Sequence, residues 1–149
     1  MESNIAEIMS GMEEMISRHY FAYARKFPEH REFWGKIGAE EIDHARWIRD
    51  LHAKAEQGLV SFNDKRFNKE SLQELYSRLE TILAQFQEQS KTVKDALTNS
   101  LKIESLLLEK EFFTIFQTDS PELKEVLYNL AEATKDHRRR MEEFLNKLS

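Results

Sequence analysis

Glu40-Glu41-Ile42-Asp43-His44 lies roughly midway along a stretch that reads as the second helix of the chain. Glu41 and His44 are three residues apart and so share one helix face. That face also carries Phe33, Trp34, Ile37, Ala45, Ile48 and Leu51, with the Glu/His pair near the middle of the apolar stripe. A carboxylate and an imidazole in such a place are costly unless something pairs with them. A metal ion would do so. Oxygen and imidazole ligands suit iron or manganese, and zinc can also occupy such a set. Metal coordination is therefore the chemistry to test, and it requires further ligands from other helices.

The rest of the chain supplies helices to carry them. Ile5, Ile8, Met9, Met12, Met15, Ile16, His19, Tyr20, Tyr23 and Phe27 recur at helical spacing, predicting a first helix from about residue 3 to 26. Pro28 sits at a natural first-turn position for a second helix running to about Gln57, where Gly58 is a stop. Residues 58–70 break the period and read as a crossover, with Phe62 and Phe67 expected to pin it to the bundle. A third, shorter helix is expected from Ser71 to about Gln89, and a fourth from about Lys91 to Gln117. Thr118-Asp119-Ser120-Pro121-Glu122 is a stop and restart, with Ser120 as N-cap and Pro121 at the first position of a fifth helix reaching the C-terminus. Pro28 and Pro121 are 93 positions apart, and so are His44 and His137. Helices 1–2 and 4–5 thus read as two matching hairpins. Joined by a long crossover, they predict an all-α, ferritin-like four-helix bundle with one additional short helix, as a single domain over residues 1–149.

Composition agrees and narrows the function. The 4 glycines and 2 prolines are too few for a sheet-and-turn architecture. A net charge of −5 gives no reason to expect a nucleic-acid partner. With no signal-peptide pattern and no apolar run near the length of a span, neither export nor a membrane is expected, and cytoplasmic location is the default. The chain has no cysteine, which excludes disulfides, thiol catalysis, zinc–thiolate sites and a rubredoxin-type iron centre.

Antiparallel neighbours align by distance from their connecting turn, so the level of Glu41 meets helix 1 at residue 13 or 14. Both are Glu. Glu13 lies with Met9, Ile16 and Tyr20 at the edge of the buried stripe, and Glu14 points nearly opposite, so periodicity selects Glu13. Counting about the second turn puts Glu104 at the centre of the buried face of helix 4, among Val93, Leu97, Leu101, Leu108, Phe112 and Ile115. His137 falls centrally on helix 5, between Val126, Leu130, Met141 and Phe144. Glu13, Glu41, His44, Glu104 and His137 are the candidate metal ligands. Carboxylate di-iron bundles use one Glu on each of two helices and Glu-x-x-His on each of the others. One member is missing here, because the position three before His137 is Thr134. Three carboxylates then face two divalent ions, so either two irons or only one could be held.

The segments MEEMISRHYFAYARKF, EEIDHARWI, IESLLLEKEFF and LAEATKDHRRRM resemble, in order, the four ligand helices of bacterioferritins and rubrerythrins. The chain is most similar to the erythrin-type bundle of the rubrerythrin family, without a rubredoxin domain. That resemblance implies a non-haem di-iron centre reacting with peroxide or dioxygen, as in a peroxidase or other oxidoreductase. It also implies an external electron donor, a homodimer, and Tyr20 near the metal as a hydrogen-bond donor or radical quencher. The departure at Thr134 supports a rival from another class, a non-enzymatic relative with a mono-metal or empty site that binds or supports something else.

Blander readings stand beside these. Glu41 and His44 could be a buried salt-linked pair, and the whole cluster could persist without metal by sharing protons among carboxylates and imidazoles. Glu111, Tyr20 and His19 read as a buried polar cluster, with proton delivery as the sharper alternative. Trp34, Trp47, Phe112 and Phe113 read as core, and Met9, Met12 and Met15 as stripe filling or a dimer face. Arg138, Arg139 and Arg140 are expected to face solvent.

Overall fold

The structure, a computed structural model, describes residues 3–58, 61–62, 69–109, 116–117 and 121–148. Among the described residues five α-helices are present: α1 (Ser3–Lys26), α2 (Arg31–Glu56), α3 (Lys69–Gln89), α4 (Val93–Glu109) and α5 (Pro121–Lys147). Together they form an all-α helical bundle. The most extensive contact is between α1 and α2, followed by α4 with α5, so the two expected hairpins are present.

Local chemistry explains the joints. Pro28 opens a 3-10 turn over Pro28–His30, and α2 begins directly behind it at Arg31. A ring-locked φ and a missing N–H are tolerated there because the first N–H groups of a helix have no internal partner. Gly58, just past α2, has φ +78°, the left-handed conformation glycine adopts without steric penalty. Thr92 and Asp95 cap α4 reciprocally: the Asp95 N–H donates to Thr92 Oγ1 and the Thr92 N–H to Asp95 Oδ2, each at 3.2 Å.

The crossover departs from expectation in one respect. Ser61–Phe62 pairs antiparallel with Phe116–Gln117, so the chain before α5 is not the end of a helix reaching Gln117. Phe112-Phe113-Thr114-Ile115-Phe116 is an aromatic and β-branched run whose propensity opposes the apolar helical period that extended the fourth helix. The expectations for Phe67, Glu111, Phe112, Phe113, Ile115 and Ser120 lie outside the described residues, as do those for the side chains of Phe62, Leu108 and Leu123.

α3 spans 21 residues and lies chiefly against α1. Leu72 and Leu79 of α3 are buried, and Tyr76 covers Gly11, where an added Cβ would sit 3.2 Å from the ring. This is why Met9, Met12 and Met15 are all buried within the chain and offer no dimer face. Across the first hairpin, Ser17 Oγ donates to the Gly38 carbonyl at 2.7 Å while the Phe21 ring lies 3.1 Å from where a Gly38 Cβ would be. Trp34 is fully buried, as expected. Trp47 is not core: it is 36% exposed, with its ring tilted against His44.

Candidate metal centre

All five expected ligands meet in the middle of the bundle. Glu13 of α1, Glu41 and His44 of α2, Glu104 of α4 and His137 of α5 are each no more than 2% exposed. They form two groups, Glu13/Glu41/His44 and Glu41/Glu104/His137, within each of which the ligand atoms lie within 4.8 Å of one another. Glu41 belongs to both. Each group could hold a metal ion. Glu14, the rejected neighbour of Glu13, points outward and pairs with Arg49.

The contacts inside the cluster are specific. Glu41 Oε1 lies 2.8 Å from His137 Nδ1, and its Oε2 lies 3.3 Å from His44 Nδ1. One carboxylate thus binds an imidazole from each half of the molecule. Glu104 Oε1 accepts a hydrogen bond from the Tyr20 hydroxyl at 2.7 Å and lies 3.6 Å from His137 Nδ1. Neither oxygen of Glu13, nor Oε2 of Glu104, has a hydrogen-bond partner of ordinary geometry, although all three are buried. Buried polar atoms are normally satisfied, and a carboxylate oxygen left bare beside other carboxylates is what a cation would stabilise. The residues therefore fit a metal.

Protons hold the cluster together in its metal-free form. Burial, reinforced by the Glu41 and Glu104 carboxylates, holds Glu13 well above the usual carboxylate range. Burial also raises Glu104, against the opposing pull of His137 and Tyr20. For Glu41 burial acts upward too, but the Glu13 carboxyl and the imidazoles of His137 and His44 outweigh it and keep the group ionised. Burial works to lower His137, yet Glu104 and Glu41 push it up to about 11, so the ring is an imidazolium. Burial and the adjoining carboxylates hold the Tyr20 hydroxyl protonated.

Sequence reasoning missed two residues. Glu40 Oε1 lies 3.0 Å from His137 Nε2, so both ring nitrogens of His137 are bonded to carboxylates of α2. Arg140 grips Glu40 through both terminal nitrogens and brings Nε within 3.0 Å of Asp136 Oδ2. Arg140 was expected in solvent. Its side chain is only 21% exposed because this pairing draws it across the α2–α5 seam. Arg138 and Arg139 do face solvent, paired with Glu142, Glu143 and Asp136. The available signal was the doubled Glu40-Glu41, since a histidine ligand commonly donates its second nitrogen to a carboxylate.

Thr134 is buried and its hydroxyl donates to the Leu130 carbonyl at 3.1 Å, one turn back on its own helix. As a threonine it adds neither carboxylate nor imidazole to the two groups. Tyr20 belongs with Glu104, whereas His19 turns away to α3: its Nδ1 accepts from Gln87 Nε2 at 2.8 Å. The expected cluster of Tyr20 with His19 is therefore split. Among the described residues no helix is long and apolar enough to cross a membrane. Comparison of the chain with protein-family models, with curated proteins and with solved structures finds no match.

Proposed function

We propose that the chain is a non-haem iron-binding protein of the rubrerythrin kind, whose carboxylate/histidine centre reacts with peroxide or dioxygen. The observation that carries this reading is the pair of buried Glu/His groups sharing Glu41. Their oxygen and imidazole donors suit iron or manganese and would accept zinc. Iron held there would supply electrons to the bound oxidant. The protein's own part is positional and protonic. Glu13, Glu41 and His44 would hold one ion and Glu41, Glu104 and His137 a second. Glu40 fixes the ring plane of His137 from outside. Tyr20 donates its proton to Glu104 Oε1, where it is placed to hold that carboxylate in one orientation or to quench a stray oxidising equivalent. With no cysteine, the chain would draw electrons from an external donor. The same resemblance proposes a homodimer.

A second reading has its own support. His137 is already satisfied by Glu40 and Glu41, and Thr134 brings no carboxylate. A non-enzymatic bundle with one metal or none is consistent with that. Metal analysis after expression with added iron separates the two. The enzyme reading expects about two irons per chain and rapid spectral change on adding peroxide. At most one metal, with no peroxide-driven change, overturns it.

A further inference from the structure

The 93-residue repeat aligns Thr134 with Glu41, the one carboxylate that serves both ligand groups. The α5 copy of that shared ligand is therefore absent, and among the described residues no further carboxylate joins the two groups. The Thr134 hydroxyl donates its hydrogen to the Leu130 carbonyl, and the residue is 2% exposed, one turn from His137. The position is inside the bundle and carries no carboxylate.

Charge makes this consequential. Two divalent cations carry four positive charges, and Glu13, Glu41 and Glu104 return three. The neighbouring Glu40–Arg140 pair sums to zero. Lys or Arg makes no ion pair with the three ligand carboxylates among the described residues, and His137 must be neutral to ligate. One positive charge would remain uncompensated in a buried site, where unpaired charge is most costly. Among the described residues each group offers three candidate ligands, with Glu41 common to both, so a metal ion there would have positions for further ligands.

We infer that a small carboxylate or similar two-oxygen anion enters beside Thr134 and completes the centre as an exogenous ligand. The inference rests on the metal-binding reading above. Thr has a γ-carbon where Glu has its Cγ methylene and lacks only the terminal carboxylate, so formate matches the missing piece in size and charge and acetate exceeds it by one carbon. Bicarbonate offers the same pair of oxygens from a different source. Anion and second metal ion then bind as a linked pair, each strengthening the other by the same factor. In the metal-free protein the anion has no metal ion to ligate, and three carboxylates face it.

Cobalt(II) tests this without redox chemistry. Metal-free protein is titrated by equilibrium dialysis and visible absorption in chloride buffer, and in the same buffer with formate, acetate, bicarbonate or inorganic phosphate. In the wild type, formate or acetate is expected to tighten uptake of the second cobalt by on the order of tenfold or more. Labelled formate should be retained only when cobalt is present. Bicarbonate acting as well as formate would identify the two-oxygen geometry, and an effect of phosphate alone would overturn the carboxylate assignment. Thr134→Glu should bind both cobalt ions in chloride and lose the anion effect. Thr134→Val, which keeps the shape without the hydroxyl, should retain it. Uptake of two cobalt ions equally in every buffer, or of one in every buffer, overturns the inference while leaving a metal site standing. No uptake in any buffer removes the metal-binding reading itself. If Thr134→Glu fails to fold, the wild-type and Thr134→Val arms still decide.

Discussion

The two hairpins carry histidines at matching positions, but the two histidines live differently. His137 is held on both nitrogens by α2 carboxylates, with Glu104 close by and Arg140 behind Glu40. His44 contacts one oxygen of Glu41, and its ring lies 5.5 Å from a half-exposed Trp47 and 5.3 Å from His137. The reason is an imbalance in supply. α2 brings Glu40, Glu41 and His44 to the seam, while α5 brings His137 and, in place of the second carboxylate, Thr134. A repeated scaffold fixed where both rings stand, and the unequal carboxylates decided that α2 serves both.

The comparison can be broken first at its shared member. Glu41→Gln keeps the volume and removes the charge that both groups use, so metal content should fall close to zero. Retention of one metal ion, measured by elemental analysis, would mean that the two groups do not depend on Glu41 in common. His137→Ala and His44→Ala come next. His44→Ala should keep about one metal per chain, whereas His137→Ala should keep less, because it also strands Glu40 and Glu104 in the seam. Equal losses would erase the asymmetry.

Glu40→Gln should weaken metal binding by roughly 10–100-fold without emptying the centre, the usual effect of removing a carboxylate behind a histidine ligand. The loss should fall on the His137 group alone. A titration in which both sites weaken equally would contradict this placement.

A second pair of buried histidines sharpens the point through pH. His19 is 4% exposed and, with Nε2 unpartnered, burial lowers its pKa to about 3. An unfolded histidine titrates near 6.5, so this depressed group binds protons more weakly when folded. Stability associated with neutral His19 is present above about 6.5 and is lost as pH falls toward 3, by at most ~1.4 kcal/mol per pH unit. His137 has the opposite sign in the metal-free protein. Its pKa is raised to about 11, so its contribution is present below about 6.5 and is lost as pH rises through the folded value. Urea midpoints of metal-free wild type and His19→Gln between pH 7 and 4 should converge as pH falls. A constant difference would mean that His19 is not held neutral. The smallest effect belongs to the outward carboxylate. Glu14→Gln should change stability by no more than ~0.5 kcal/mol and leave metal content alone, since its Arg49 pair is exposed.

Much of this was legible from residue spacing. Glu13 could be chosen over Glu14 because a one-residue step turns a side chain through 100°, enough to separate core from solvent on α1. Glu104 and His137 followed from counting back from the turns. Where spacing misled, a second preference competed with it. The apolar period ran on through Phe112 to Phe116, while the aromatic and β-branched composition of that run favours the extended pairing seen at Phe116–Gln117. Trp47 lies near the apolar face of α2, yet remains partly exposed at the edge of the bundle.

The sequence by itself determined the five helices' polar and apolar faces, the two-hairpin repeat, the inward set Glu13, Glu41, His44, Glu104 and His137, and the break at Thr134. These depend on geometry within a helix or hairpin, which is set by rise, turn and loop length. Only the tertiary structure decided that Glu41 reaches both histidines, that Glu40 and Arg140 close over His137, that Tyr20 binds Glu104, and that Thr134 turns to Leu130. Those choices depend on how far neighbouring helices are rotated and on which rotamer each side chain takes, and no spacing along one strand of chain records either.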